Sequence, residues 1–382
     1  MDGKVAIAGY NISPCSSNMV TSRERLLFDL TTGLFEELGI DRDAVDTFII
    51  ATNDFLDGRT ISNVFLDPPI GAYMKDETKV EMDAVNAIAY GWMRILTGQY
   101  DTALIVSLGL CGHQISPYLH IDYTLDATYD RQLKLLNELS AAALQAGSYL
   151  GKYGYPAELL DEIAAKDLGN AALDPYQARR LDGISAEEVG KSRYLYEPLR
   201  ELHCYPPTDG GCVMLLASED RAGELTDKPV WILGMGRSID KYYIGDRDLA
   251  VSPSTTQAAK VAYDMAGIKD PAGEVDLAEI SSIFAHQEPL LAEALGLFEE
   301  GKAVDIYSSG DSAIDGRLPV NPSGGALGAH PICSTGLIRM AEAARQLRGE
   351  AEGNQVKKAG VAVAHGQDGM CAQQNAVVVL GI

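Results

Sequence analysis

One histidine lies in a segment whose composition suits chemistry on a carbonyl group. Residues 319–331 read Pro-Val-Asn-Pro-Ser-Gly-Gly-Ala-Leu-Gly-Ala-His-Pro, and three glycines beside Asn, Pro and Ser predict a tight loop that a ligand can approach closely. A helix is predicted to begin near Ser334, so His330 is expected beside a helix N-terminus. That position attracts anions and favours an uncharged imidazole, which suits a group that polarises a thioester carbonyl or accepts a proton. The alternative is a loop histidine that only caps the helix.

Four more side chains could complete an acid/base site with His330. Glu81 and Asp83 precede a predicted helix, His286 follows the apolar run 279–285, and His365 enters a Gly-rich C-terminal loop. A carboxylate beside a histidine in a dry pocket can act as an acid/base pair. For the two carboxylates the alternative is a charge that only stabilises a helix N-terminus. For the two histidines it is a buried structural side chain.

The elements that must position these residues repeat along the chain. Each repeat is predicted to contain a short strand, a helix that ends at glycine, a second strand, a further helix and a third strand. The first set occupies 5–9, 23–38, 47–51, 84–96 and 103–106, and the second occupies 230–234, 255–266, 279–285, 336–347 and 360–364. Short apolar strands that alternate with helices predict an α/β protein with largely parallel sheets covered on both faces.

The length also indicates more than one core, since 382 residues exceed what a single core supports. We therefore predict two halves related by a pseudo-twofold axis. Residues 1–110 with 208–227 form the N-terminal half, 228–382 form the C-terminal half, and 111–207 form a loop domain between them. The loop domain is rich in tyrosine, and we expect it to carry acyl specificity because recognition concentrates in loops on a rigid scaffold.

The composition is that of a folded protein with an acidic surface. Apolar residues make up 46%, and the formal net charge of −23 argues against nucleic acid or an anionic membrane as partners. A strand is predicted almost at the N-terminus and no apolar run reaches the roughly 18 residues of a membrane span, so a cytosolic protein is expected. The histidines and cysteines show no metal-ligand spacing, and Gly234-Met-Gly236 lacks the rest of a dinucleotide fingerprint. Neither a metal site nor a nicotinamide site is predicted.

An ordered series of motifs resembles the thiolase superfamily over roughly residues 3–382. The loop at 319–331 is similar to the thiolase signature N-x-S-G-G followed by G-H-P, and it is followed by Ser334-Thr-Gly-Leu337 and Gln346-Leu-Arg-Gly349. The sterol-carrier-protein type of thiolase is the most similar. The resemblance implies two related halves in a five-layer αβαβα fold, a homodimer, and a coenzyme A thioester as substrate. We assign the coenzyme A contact to Asn321, Ser323, Gly324 and Gly325.

The chain departs from that family at its catalytic cysteines. The position of the nucleophilic cysteine corresponds to Glu81, the second cysteine corresponds to Val363, and the H-D-x-F histidine motif falls at Ser281-Ser-Ile-Phe284. Of the four usual catalytic groups only His330 remains. Cys371 is eight residues beyond the second position, where a small buried side chain is the alternative to a catalytic one.

Three functions follow from this pattern. The first is carbon–carbon bond cleavage or formation next to a coenzyme A thioester by aldol chemistry, which needs a base and an enolate-stabilising site but no cysteine. It resembles thiolase-like acyl-CoA aldolases, which pair with a small zinc-ribbon/OB-fold subunit and carry tyrosine where this chain has His330. The second is a thiolase or acyltransferase subunit for a 3-oxoacyl-CoA, which a thiol at the pocket would favour. The third is a non-catalytic partner subunit. The acyl chain and the reaction direction do not follow from the sequence.

Overall fold

The computed structural model describes residues 3–109 and 122–382. Within these ranges the strands are β1 (Val5–Ile12), β2 (Thr47–Ala51), β3 (Asp76–Val80), β4 (Thr102–Gly109), β5 (Tyr194–Tyr196), β6 (Leu199–Arg200), β7 (Gly210–Ser218), β8 (Val230–Ile239), β9 (Leu277–Ile280), β10 (Val361–Asp368) and β11 (Gln374–Gly381). The α-helices are α1 (Arg23–Leu38), α2 (Asp54–Asp57), α3 (Asn63–Ile70), α4 (Val85–Leu96), α5 (Asp130–Leu133), α6 (Glu138–Tyr153), α7 (Glu158–Leu173), α8 (Ala186–Gly190), α9 (Glu219–Leu225), α10 (Pro253–Ala266), α11 (Pro271–Glu274), α12 (Gln287–Ala294), α13 (Ala303–Ser309), α14 (Gly325–Gly328) and α15 (Thr335–Arg348).

Strand order confirms the predicted internal repeat. The main sheet runs β3-β2-β4-β7-β1-β8-β11-β10-β9, and Val320 forms a parallel bridge to Ala278 beyond β9. We number the strands separately in each half and count the Val320 bridge as the third strand of the C-terminal half. From the outer edge inward, both halves then have the same order: third, second, fourth, fifth and first. The two first strands, β1 and β8, meet at the centre, where Ala6 pairs with Trp231 and Ile7 with Val230. The pseudo-twofold relation thus lies between β1 and β8.

The prediction of a largely parallel sheet was wrong. Three strand pairs are parallel, β2 with β3, β2 with β4 and β9 with β10. The five other pairs in this sheet are antiparallel. The last strand of each half, β7 or β11, runs against its neighbours, and a short turn can join an antiparallel pair such as β10 and β11. Periodicity showed that the strands were buried but carried no information on their direction.

The helices lie in three layers, and the middle layer, between the strands of the N-terminal half and those of the C-terminal half, contains α4 and α15. A buried cluster joins both of these helices to strands of both halves. A second cluster packs α1 against the outer face of the N-terminal strands, and a third packs α10 and α12 against the C-terminal ones. This gives the predicted αβαβα layering. Because α15 lies in the centre, Thr335 through Leu347 are all buried.

Most element boundaries agree with the sequence, and one does not. The strand expected at 279–285 spans Leu277–Ile280 instead. The division into two halves and a loop domain remains a prediction, although β7 from residues 210–218 does complete the N-terminal strands. Across 3–109 and 122–382, no helix is both long and apolar enough to cross a membrane.

Candidate active site

A cavity of about 260 Å³ lies where α4 and α15 begin. Three of the predicted site residues, His330, Glu81 and Asp83, are in its wall. The remaining lining residues come from both halves and from the loop region: Asn53, Leu56, Met82, Thr124, Glu138, Ile283, Ile332, Cys333, Gln367, Asp368, Gly369 and Gln374. Two residues from the N-terminal half and one from the C-terminal half, far apart in sequence, therefore line the same cavity.

His330 is held from two sides. Its backbone N–H donates to Thr208 Oγ1 at 2.8 Å, and its Nδ1 lies 2.7 Å from Thr335 Oγ1. Its ring packs edge-on against Tyr205, with centroids 4.5 Å apart. Burial, and secondarily the nearby Arg339 guanidinium, lower the pKa of His330 to about 3. The imidazole is therefore uncharged at neutral pH, and its Nε2 can act as a hydrogen-bond donor or as an acceptor, depending on the tautomer.

Asp83 lies between the N-termini of the two central helices. One carboxylate oxygen accepts the backbone N–H of Val85 at 3.0 Å, and the other accepts that of Gly336 at 2.8 Å. These are first-turn N–H groups, which have no partner within their own helices. Asp83 thus has the helix-stabilising contacts considered as the alternative to a catalytic role. Its own backbone N–H donates to Asp368 Oδ2 at 2.6 Å, which brings a second carboxyl into the cavity wall.

Both carboxyls of this pair have raised pKa values. Burial raises the pKa of Asp83, and the N–H groups of Gly336 and Val85 oppose that rise. Burial also raises the pKa of Asp368, and the neighbouring charge of Asp83 raises it further. The pair therefore holds a proton more tightly than ordinary aspartates do, because two negative charges cannot easily share one poorly solvated site.

Two glutamates also line the cavity, and each is bound to another side chain. Glu81 is about half exposed and lies 2.7 Å from Lys79 Nζ, which also contacts Asp54. Glu138, at the start of α6, accepts the Tyr205 hydroxyl proton at 2.6 Å, and burial raises its pKa. Glu81 is therefore a rim residue in an ion pair, while Glu138 is a partly buried wall residue.

The structure places His286 and His365 outside the cavity lining. His286 Nε2 lies 3.0 Å from Gln145 Oε1, and His365 Nε2 lies 2.9 Å from Asn375 Oδ1. Each amide oxygen accepts, so each Nε2 carries the ring proton. Burial lowers the pKa of His286 to about 3 and that of His365 to about 4. Both have the contacts of buried structural histidines.

The loop residues assigned to coenzyme A are also buried within the C-terminal half. Asn321 has a backbone φ of 52° and bonds the Ile280 N–H at 2.7 Å and the Glu288 carboxylate at 2.6 Å. Ser323 Oγ donates to Glu279 at 2.7 Å. Gly324 and Gly325 both have positive φ, 92° and 58°. These four residues shape the chain below His330 and do not line the cavity.

A thiol does line the cavity, but it is not the one considered from the sequence. Cys371 is not part of the lining. Its thiol donates to Ala141 O at 3.4 Å, and burial raises its pKa to about 12. Cys333 is in the lining, one residue before the N-cap of α15, with a φ of 75°. Its carbonyl accepts the Ala84 N–H at 2.8 Å and so links the starts of α15 and α4.

Sequence reasoning missed Asp368, Glu138 and Cys333. Asp368 lies three residues after His365, which drew attention instead. The adjacent Gln-Asp-Gly could have marked a polar turn at a strand end. Glu138 and Cys333 carried no comparable signal, because their position depends on how the loop region and the central helices pack together.

A second cavity of about 390 Å³ adjoins the first and shares Thr124 and Gly369 with it. Its wall includes Tyr123, Tyr242 and Met370. The Tyr242 hydroxyl donates to Thr124 O at 3.1 Å. A chain of atoms leaving the first cavity could therefore continue past aromatic side chains into the second.

Comparisons with known proteins show which family and which fold the chain is similar to. The thiolase C-terminal domain-like family model matches residues 236–382. Acetyl-CoA acetyltransferase of Methanothermobacter thermautotrophicus is 28% identical over 94% of this chain and 95% of its own length. Sterol carrier protein 2 of Oryctolagus cuniculus is 33% identical over 57% of this chain, a match that spans only 40% of that protein. A solved structure described as an Ltp2-ChsH2(DUF35) aldolase has a similar fold, with a TM-score of 0.85 over 99% of this chain and 97% of that chain at 22% identity.

Proposed function

Because the chain belongs to the thiolase superfamily, we propose that it makes or breaks a carbon–carbon bond next to a coenzyme A thioester by aldol chemistry, without a cysteine acyl-enzyme. The observation that carries this proposal is the convergence of two helix N-termini on one cavity. Each N-terminus has a partial positive charge, and Asp83 holds the two together by accepting the Val85 and Gly336 N–H groups. A negative charge that develops on a thioester oxygen there would be stabilised without any cation.

In the cleavage direction, a base removes the proton of the 3-hydroxyl group. The oxygen lone pair forms a carbonyl, the bond between carbons 2 and 3 breaks, and its electrons pass to carbon 2 and the thioester oxygen as an enolate. Carbon 2 then takes up a proton, which gives a shortened acyl-CoA and a ketone or aldehyde. His330 is uncharged. In the tautomer in which Thr335 Oγ1 donates to Nδ1 rather than to Pro331 O, its contribution is a hydrogen bond from Nε2–H to the thioester oxygen. The base comes from the carboxyls in the cavity wall.

Turnover assays test this function. A panel of 3-hydroxyacyl-CoA and 3-oxoacyl-CoA compounds is incubated with the wild type and with His330→Ala and His330→Gln. We expect cleavage of a 3-hydroxyacyl-CoA without added free coenzyme A. Loss of an enolate donor costs about 100- to 1000-fold in kcat, and Gln, which keeps an N–H donor, should restore part of it. Unchanged processing of both classes by His330→Ala would show that His330 has no such role.

A specific observation favours a second candidate, acyl transfer through Cys333. Its thiol is in the cavity wall immediately before a helix N-terminus, where a thiolate is stabilised. Burial raises the pKa of Cys15, Cys204 and Cys371 to about 12, so these thiols should react slowly. Iodoacetamide should therefore abolish activity with modification at Cys333 if this candidate is right. Under the aldol proposal a Cys333→Ser variant keeps its turnover.

We also propose a homodimer and a second subunit. The dimer is supported by β3, which ends the main sheet and bonds only β2 among the described strands, and an edge strand of this kind can pair with a second copy. A partner of the DUF35 or zinc-ribbon/OB-fold kind is supported by the fold likeness to a structure described as containing one. The net charge of −23 favours a basic partner. Light scattering of the chain by itself and after co-expression with such a subunit, at low and high salt, tests both proposals.

A chain that binds acyl-CoA but turns nothing over, either by itself or with such a subunit, would instead be a non-catalytic subunit.

A further inference from the structure

We propose that Asp368 is the catalytic residue that takes up and returns the proton in this cavity, and that Asp83 is a positioning residue whose carboxyl group is held in place beside it. This inference rests on the proposed function, since it assigns the base that aldol cleavage requires. It depends on the contacts of the four carboxyls in the cavity wall, which differ from one another.

Asp83 is enclosed and fully engaged. Its two oxygens accept the N–H groups of Val85 and Gly336, and its exposed fraction is 3%. Two glycines pack directly against it: a Cβ built at Gly336 would lie 1.9 Å from Asp83 Oδ1, and one at Gly366 would lie 2.6 Å from the same atom. A carboxylate held in this way stays in place during a reaction and has little room to reach a substrate.

Glu81 and Glu138 are also engaged, by an ammonium group and a hydroxyl group respectively. Asp368 differs from all three. Its Oδ2 accepts the Asp83 N–H at 2.6 Å, and no salt bridge to it is found in the described part of the chain. It is the last residue of β10, it is only partly buried, and it is in the cavity wall. By elimination it is the carboxyl best placed to meet a substrate hydroxyl.

The electrostatic setting agrees with this geometry. The charged and titratable groups that share the cavity wall with Asp368 are Asp83, Glu81, Glu138, His330 and Cys333. Burial, and then the charge of Asp83, raise the pKa of Asp368 to about 8. An acid/base group works best when its pKa is near the working pH. Ionised Asp368 can therefore remove the 3-hydroxyl proton and, once protonated, return the same proton to carbon 2, so that no other co-reactant is needed.

Three variants test the assignment by turnover. Asp368→Asn keeps the acceptor for the Asp83 N–H but cannot hold the proton, so we expect kcat to fall by about 100-fold or more with little change in KM. Asp83→Asn removes the neighbouring charge, so the apparent pKa of kcat should fall by about one unit or more while turnover persists. The matched control is Glu293→Gln, which removes a carboxyl whose pKa is also raised to about 7 outside this cavity. Glu293→Gln should change neither kcat nor the apparent pKa of kcat.

A direct titration separates failure of this inference from failure of the proposed reaction. Carboxyl signals in the wild type and Asp368→Asn are followed from acid to mildly alkaline pH by ¹³C NMR. Loss of one carboxyl with a pKa near 8 in the variant supports the proton site. If the titration supports the proton site but no 3-hydroxyacyl-CoA is cleaved, the proposed reaction is refuted and the proton site is not. Identical titrations, or cleavage by Asp368→Asn at the wild-type rate, would overturn the inference.

Discussion

Replacing Gly336 with alanine probes the point where the two central helices meet. The new Cβ would lie 1.9 Å from Asp83 Oδ1, 2.8 Å from its Cγ and 3.0 Å from Val85 Cβ. These atoms cannot all stay in place, so the carboxylate must leave at least one of its two backbone N–H partners. Overpacking costs about 1–3 kcal/mol, and a lost hydrogen bond to a charged group costs about 1.5–3 kcal/mol. Alanine regains up to about 1 kcal/mol of helix propensity, so the expected net loss is about 3 kcal/mol.

Urea unfolding followed by circular dichroism measures this loss. The matched control is Gly169→Ala in α7, where a Cβ would meet nothing within 4 Å. That variant should gain about 0.5–1 kcal/mol from helix propensity. A second background tests the cause: with Asp83→Ala already present, the collision partner is gone, and Gly336→Ala should cost at least ~1 kcal/mol less. Equal stability of the Gly336 and Gly169 variants, or the same cost in both backgrounds, would refute the proposed packing.

Two further predictions concern buried charge. Glu279 is fully buried and lies 2.6 Å from the Arg339 guanidinium, so Arg339→Met leaves it without its cation. The free energy of unfolding should then fall by about 3–5 kcal/mol. The control is Arg25→Met, which breaks an exposed ion pair and should change the free energy of unfolding by less than about 0.5 kcal/mol. The pKa of Asp368 is raised in the folded protein, so the folded protein keeps a proton that the unfolded chain loses. The contribution of Asp368 to stability is therefore full below about pH 4 and is lost as the pH rises to about 8. Asp368→Asn cannot lose this stabilisation. From pH 4 to pH 8 its free energy of unfolding, measured by thermal or urea unfolding, should rise by at least ~1 kcal/mol relative to that of the wild type. Parallel pH curves for the two proteins would contradict the assignment.

The sequence predicted the order of elements well because each half repeats the same local signals. Glycines end α1 and α10 as expected, at Gly39 and Gly267, both with positive φ. Strand direction was beyond this reasoning, since an apolar run such as β7 is buried in the same way whichever way it runs. Cys111 lies outside the described residues.

The site was predictable in part. His330 and Asp83 were found because each stands beside a helix start, and helix starts can be identified from sequence. His286 and His365 were also proposed, but their partners Gln145 and Asn375 come from other elements. A histidine with an amide partner cannot be told from a catalytic one by sequence alone. Asp368 depends on a contact with Asp83 across 285 residues, which only the fold supplies.

One measurement tests the central claim, that the carbon–carbon bond is cleaved without an acyl-enzyme. The wild type and Cys333→Ser are mixed with a 3-hydroxyacyl-CoA, quenched during turnover and examined by intact-mass spectrometry while released acyl-CoA is quantified. The account predicts an unmodified chain in both samples and similar rates of product release. An acyl adduct on the wild type that maps to Cys333, together with loss of turnover in Cys333→Ser, would contradict it and establish acyl transfer instead.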